Sequence, residues 1–267
     1  MSRVIRFFVW MILAGNFVLW VAQPVAVAHD FWIETTVREK SIDVALRLGH
    51  VDAPEKVNRT DKRIVRFALV LPDGTEKTIP GTDGAEPAGT VDWIVQEGAI
   101  VLYQSNHAFS TLAPQKFETY LAEEGLEHVI ERRKQRNETN VPGSEAYMRC
   151  AKAIVGLAHA PLAFLRKPTG LPAELLWLTD VSQARKNRAV KFKMLLDGKP
   201  AGNVLVVAKS PSDHGKRIGK RTASDGTVTL KLPHAGRWIV TGVAMKEMPK
   251  GANPAWESLW ASLSFEL

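Results

Sequence analysis

Short alternating runs, each closed by turn residues, constrain the fold of this chain most. Ser41 to Leu48 alternates polar and apolar side chains, the period of a strand with one buried face. Ile64 to Leu71 is apolar and rich in β-branched residues, and it ends in the turn signal Pro72-Asp73-Gly74. Asp92 to Val95 and Ala99 to Gln104 read as two further strands joined through Glu97-Gly98. Beyond residue 170 the pattern returns in Glu174–Leu178, Val190–Leu196, Val204–Ala208, Val228–Leu232, Trp238–Ala244 and Leu259–Leu267. Asp197-Gly198-Lys199-Pro200 and Ser224-Asp225-Gly226 are turn clusters among them. Runs this short cannot bury an apolar face alone, so they must pair into sheets and stack. The expectation is a mainly β protein of two β-sandwich-like domains. The first covers 29–170, and the second, 171–267, is immunoglobulin- or transthyretin-like. The stretch Lys167–Gly170 is the expected boundary.

A helical insert is expected over about 113–160. Pro114 suits a first helical position, and Phe117, Tyr120 and Leu121 then share one face. Gly125 interrupts, and a second helix is expected from Leu126 to Arg136. Ser144 is placed as the cap of a third helix, with Tyr147, Ala151, Ile154 and Ala158 at helical spacing. Arg132, Arg133, Lys134 and Arg136 fall at the end of the second helix, where cations suit the helix dipole, and they read as a solvated face.

Residues 1–28 have the three parts of a secretory signal. Arg3 and Arg6 make a positive start, Phe7 to Ala22 is almost wholly apolar, and Ala26-Val27-Ala28 is a small-x-small cleavage site. The apolar run is shorter than the ~20 residues a membrane-spanning helix needs, so a retained anchor ranks second. The expected location is the periplasm or the exterior, with no stable membrane anchor after cleavage. Cleavage removes two Arg and no acid, so the formal charge of +7 becomes +5. A nucleic-acid partner is not expected, because no aromatic stacking pattern interleaves with the scattered cations.

Several chemistries lack their signatures. One Cys among 267 residues allows no intramolecular disulfide and no Cys-based zinc cluster. Neither a phosphate-cradling Gly-Lys-Ser/Thr loop nor Gly-x-Gly-x-x-Gly occurs, and Gly-x-Ser-x-Gly is absent. Cys150 lies near an apolar stripe and reads as a small buried hydrophobe. Trp32, Trp93, Trp177, Trp238, Trp256 and Trp260 mostly occur within strand patterns, where core packing is expected.

The cleavage site carries the most specific chemistry. A chain starting at His29 offers an α-amine and an imidazole from one residue, and together these chelate a divalent ion. Nitrogen donors of this kind suit copper, nickel and zinc. Seven His are present, and their spacing matches no compact zinc motif. His50 ends a strand, and His107 follows the strand through Val101-Leu102-Tyr103. If those strands are neighbours, both rings can reach the N-terminus, so the expected metal ligands are His29, His50 and His107. Asp30 is placed as a supporting carboxylate. His128 reads as helix packing, His159 as a helix end, and His214 and His234 as solvent-facing.

Four stretches carry a likeness to a known family. They are Ala28-His29-Asp30-Phe31-Trp32, Leu48-Gly49-His50, the segment Lys116 to Leu126 with its Tyr120-Leu121-Ala122-Glu123-Glu124-Gly125-Leu126 core, and Trp260 to Glu266. In these the chain resembles the bacterial periplasmic domain-of-unknown-function family 4198. Some of its members are described as nickel-uptake components beside cobalt/nickel transport systems. The resemblance implies a periplasmic, mostly β protein with an immunoglobulin-type second half, and it suggests metal handling. Nickel-linked members tend to follow the second His with Pro-Phe-Glu, whereas here His50 precedes Val51-Asp52-Ala53-Pro54-Glu55. The expected function is binding of a divalent transition metal (nickel, copper or zinc), with a membrane metal transporter as recipient. The alternatives are an envelope interaction module without metal and, more weakly, a copper-dependent oxidative enzyme built on a terminal His brace.

Overall fold

A computed structural model describes residues 30–94 and 98–267. The protein is mainly β, built as three stacked sheets. The first sheet holds β1 (Asp30–Val37), β2 (Ser41–His50), β3 (Ala53–Val57) and β6 (Gly89–Asp92). In it β2 is central: β1 pairs along one edge, and β3 and β6 share the other. The central sheet has nine strands. Its path runs β14 (Ile218–Arg221), β13 (Leu205–Lys209), β16 (Arg237–Glu247), β17 (Trp256–Glu266), β9 (Gly143–Val155), β7 (Ala99–Ser105), β4 (Ile64–Val70), β5 (Glu76–Thr78), with β8 (Ala108–Leu112) beside the start of β9. The third sheet is β10 (Ala173–Trp177), β11 (Ala189–Leu196), β12 (Lys199–Pro200) and β15 (Thr227–Lys231).

Side-chain alternation sorts the central sheet into two cores. Phe67, Leu69, Val101, Tyr103, Ala151, Ala153 and Val155 face the first sheet and pack on Phe31, Ile33, Ile42, Val44 and Leu46. Ala68, Ile100, Leu102, Cys150, Ile154, Val206, Val240, Leu263 and Phe265 face the other way, onto Trp177, Val190, Phe192 and Met194 of the third sheet. Successive residues of a strand point to opposite faces, so β4, β7 and β9 serve both cores. Strands from either side of residue 170 meet where β9 and β17 pair in parallel, from Trp256 opposite Glu145 to Ser264 opposite Ala153.

The third expected helix is a correction. Residues 143–155 form the longest strand, β9, at the centre of the nine-stranded sheet. A strand buried on both faces is apolar nearly throughout and loses the clean two-residue alternation. Its small Ala residues also fitted a helical spacing. The first two helices do form, as α1 (Pro114–Glu123) and α2 (Glu127–Gln135). Pro114 opens α1 at its first turn, and Phe117, Tyr120 and Leu121 are buried. The helix closes at Gly125, whose φ of +69° allows Leu126 N–H to reach back to Leu121 C=O at 2.8 Å. Two short helices, α3 (Leu162–Leu165) and α4 (Val181–Asn187), flank β10 in the chain.

The Arg run of α2 also departs from expectation. Arg133 is only 2% exposed, lies over the Phe117 ring and pairs with Glu118 at 2.7 Å. It also donates to the carbonyls of Glu138 and Val141, both at 2.8 Å. Its planar fork holds the polar loop after α2 in place, which a solvated arginine would not do.

Candidate functional site

Five chain segments meet around the start of β1. Asp30 opens β1 opposite Gly49 of β2, which puts His50 and the following turn beside the entry of the chain. Lys209, at the end of β13, reaches across from the central sheet and forms an ion pair with Asp30. Both are largely buried. The end of α1 contributes Glu123 and Glu124, and the loop after the 3-10 turn Pro211–Asp213 contributes His214, Gly215 and Arg217. Together they line a cleft of about 780 Å³.

Local structure explains why the walls hold. Gly49 has φ +98° and Gly215 φ +68°, conformations that glycine adopts freely. A Cβ on Gly215 would come within 3.5 Å of the Asp52 and Val51 side chains, so the loop runs close beside the β2–β3 turn. Arg217 donates to the Glu123 carbonyl at 2.6 Å, tying the same loop to the helix end. Trp32, Val51 and Ile239 form a small apolar cluster beneath.

The electrostatics are mixed. Burial and the neighbouring Asp30 carboxylate push the Glu124 carboxyl up to about 7, with Lys209 and Arg217 opposing. Glu124 therefore changes charge near neutral pH while facing a buried ion pair. It also occupies a helix C-terminus, where the dipole disfavours an anion. That placement was the sequence signal for Glu124, and it was missed. Lys209, Asp52 and His214 carried no comparable signal, because only the tertiary fold brings them to Asp30.

The three expected ligands part company. His29 lies outside the described residues, one residue before Asp30 in the sequence. His50 lines the cleft. His107 pairs instead with Glu257 at 2.7 Å. Glu257 alternates with the β17 residues that face the first sheet, such as Ser264, whose hydroxyl donates to Ile33 C=O, so it belongs to the opposite face. The structure thus brings His50 to the chain entry and keeps His107 with Glu257. His214, expected in solvent, is exposed but lines the cleft. His234 differs more: it stacks on Trp238 at 4.9 Å and pairs with Asp213 at 2.8 Å. His128 packs as expected, its Nε2 lying 2.9 Å from the Met245 carbonyl oxygen. Among the described residues no three His, Cys, Asp or Glu side chains converge to hold a metal ion.

Comparison with known proteins bears on kinship rather than chemistry. No curated protein matches the chain. A solved structure, a tetra-tandem repeat in the extending region of a large adhesion protein, is 13% identical with a TM-score of 0.24. That match covers 90% of this chain and 49% of the other, so the chain spans about half the length of the solved chain. A likeness this slight carries no argument about fold or function. The family model described as Domain of unknown function (DUF4198) matches residues 26–245, a span that contains every residue lining the cleft. The chain belongs to the DUF4198 family.

Proposed function

We propose that this protein binds a divalent transition metal (nickel, copper or zinc) in the periplasm, at the cleft beside Asp30, and passes it to a membrane metal transporter. The observation that carries the reading is the meeting of His50 with the chain entry in one cleft. After cleavage at Ala28, His29 supplies an amine and an imidazole, and His50 supplies the third nitrogen. Three protein ligands leave a coordination position open, which suits capture followed by release. Asp52 and Glu123 add negative charge along the same walls, and Glu124 adds more once the pH passes about 7. His107 stays with Glu257 and is not part of this ligand set.

The test is calorimetric titration of protein beginning at His29 with copper, nickel and zinc. Three variants accompany it: one extra N-terminal Ala, His50→Ala, and His107→Ala. Binding that is lost in the first two and kept in the third supports the site. Absence of binding in the authentic protein, or binding indifferent to the extra Ala, refutes it.

A further inference from the structure

On the face of β9 turned toward the first sheet, two arginines share one tyrosine. The Arg149 guanidinium lies 4.8 Å from the Phe31 ring centroid and 5.4 Å from that of Tyr147. Arg63, just before β4, lies 6.0 Å from the same Tyr147 ring and donates to the His107 carbonyl at 2.8 Å. Tyr103 packs on Phe31 at 5.2 Å, completing an aromatic surround. Arg63, Tyr147 and Arg149 are half-buried rather than sealed.

The cluster lacks an anion. Arg38, Arg47, Arg59, Arg66, Arg132, Arg133, Arg136, Arg221 and Arg237 each pair with a carboxylate. Among the described residues Arg63 and Arg149 have no such partner; Arg188 and the exposed Arg166, Arg185 and Arg217 lack one too, but only Arg63 and Arg149 lie on one shared tyrosine ring. Burial pulls the Arg149 guanidinium below its usual pKa, and the Arg63 charge adds to that pull. Two like charges held together away from bulk water are costly unless something neutralises them.

Among the described residues no carboxylate pairs with either arginine. Residues 1–29 contain no Asp or Glu. Asp30, the nearest acid along β1, is paired with Lys209.

We propose that Arg63 and Arg149, with Tyr103 and Tyr147, form a binding site for the oxyanion of a small molecule, a carboxylate or a phosphate. Guanidinium forks match either group with two parallel hydrogen bonds. The Phe31 and Tyr147 rings flank the guanidiniums and hold them in place. The proposal does not depend on metal binding at the cleft.

The test uses the metal-free full mature chain, titrated calorimetrically with inorganic phosphate, succinate and acetate, with sodium chloride at equal ionic strength as control. Binding of phosphate or of a carboxylate, with chloride inert, is the expected result, and the comparison of phosphate with succinate tells which source the site prefers. Arg63→Gln, at a half-buried position, should weaken it about tenfold or more. Arg63→Lys should weaken it less. Arg149→Gln is read only if its circular dichroism matches the parent. The proposal is overturned if neither phosphate nor the carboxylates bind above the chloride control, or if Arg63→Gln leaves the affinity unchanged. Metal titrations on the same variants keep this result separate from that of the cleft.

Discussion

Replacing Lys152 by Met should destabilise the fold by about 3 kcal/mol at neutral pH. Lys152 projects from β9 toward the third sheet and meets Glu174 of β10 at 3.0 Å. The two side chains are 3% and 0% exposed. Burial lowers the Lys152 pKa even beside its partner. Desolvation thus cancels much of the attraction, and the pair as a whole adds little net stability. Breaking it is different. Met fills the stem's space, but Glu174 is left as a buried carboxylate supported only by Thr169 N–H at 2.9 Å, Thr169 Oγ1 at 2.8 Å and Gly170 N–H at 3.2 Å. Orphaning one partner of a buried pair costs about 3–5 kcal/mol. The remaining donors place the loss at the lower end. Glu174→Leu should cost more, because it strands the ammonium and all three donors together.

The pH dependence sharpens the prediction. In the parent, burial raises the Glu174 carboxyl, but the Lys152 charge and the Thr169 bonds outweigh it, so its pKa sits below the ordinary value. A depressed carboxylate contributes stability above its unfolded pKa and loses it as pH falls through the folded one. Without Lys152, burial dominates and the folded pKa moves above the unfolded value. The variant then gains stability as pH falls from neutral toward the ordinary glutamate range. Its deficit should shrink between pH 7.5 and pH 5. Urea unfolding followed by tryptophan fluorescence measures this at each pH. A deficit under about 0.5 kcal/mol at pH 7.5, or one that does not shrink on acidification, would refute the argument.

Two further outcomes follow from buried titratable groups. Burial pushes the Cys150 thiol up to about 12, so native protein at pH 8 should resist a disulfide reagent and react only in urea; stoichiometric labelling of native protein within minutes would contradict this. Glu124, raised to about 7, binds its proton more tightly folded than unfolded, so stability should fall as pH rises from about 4.5 to 7. Glu124→Gln should remove that slope and stabilise the protein above pH 7 by up to about 3 kcal/mol, measured as urea midpoints across the range. An unchanged slope would show that the carboxyl is not held neutral in the cleft.

The strands legible in the sequence are those with clean alternation or a short apolar run between firm turns. β2, β4, β7 and β11 run within a residue or two of the expected limits. The same holds for α1, whose start at Pro114 and buried Phe117, Tyr120 and Leu121 were all readable. The Trp residues expected in the core are there: Trp177 and Trp238 are fully buried. β9 was not readable, because burial on both sides erased its alternation. Arg133 was not either, because its acid, Glu118, is fifteen residues away and the two meet only when α2 folds back along α1.

For the candidate site, the sequence determined the chemistry of single residues. It supplied a His beside Asp30, a His closing β2, and an acid-rich end to α1. The tertiary structure decided which of them share a cleft. Lys209 meets Asp30 across 179 residues, and Arg221, on the strand beside β13, reaches the Gly125 carbonyl at the end of α1 at 3.0 Å. His107 follows the strand next to β9 and faces away, toward Glu257. Local periodicity fixes which face of a strand a side chain takes. It carries no information on which strands become neighbours, because that is set by burial of whole sheets against one another.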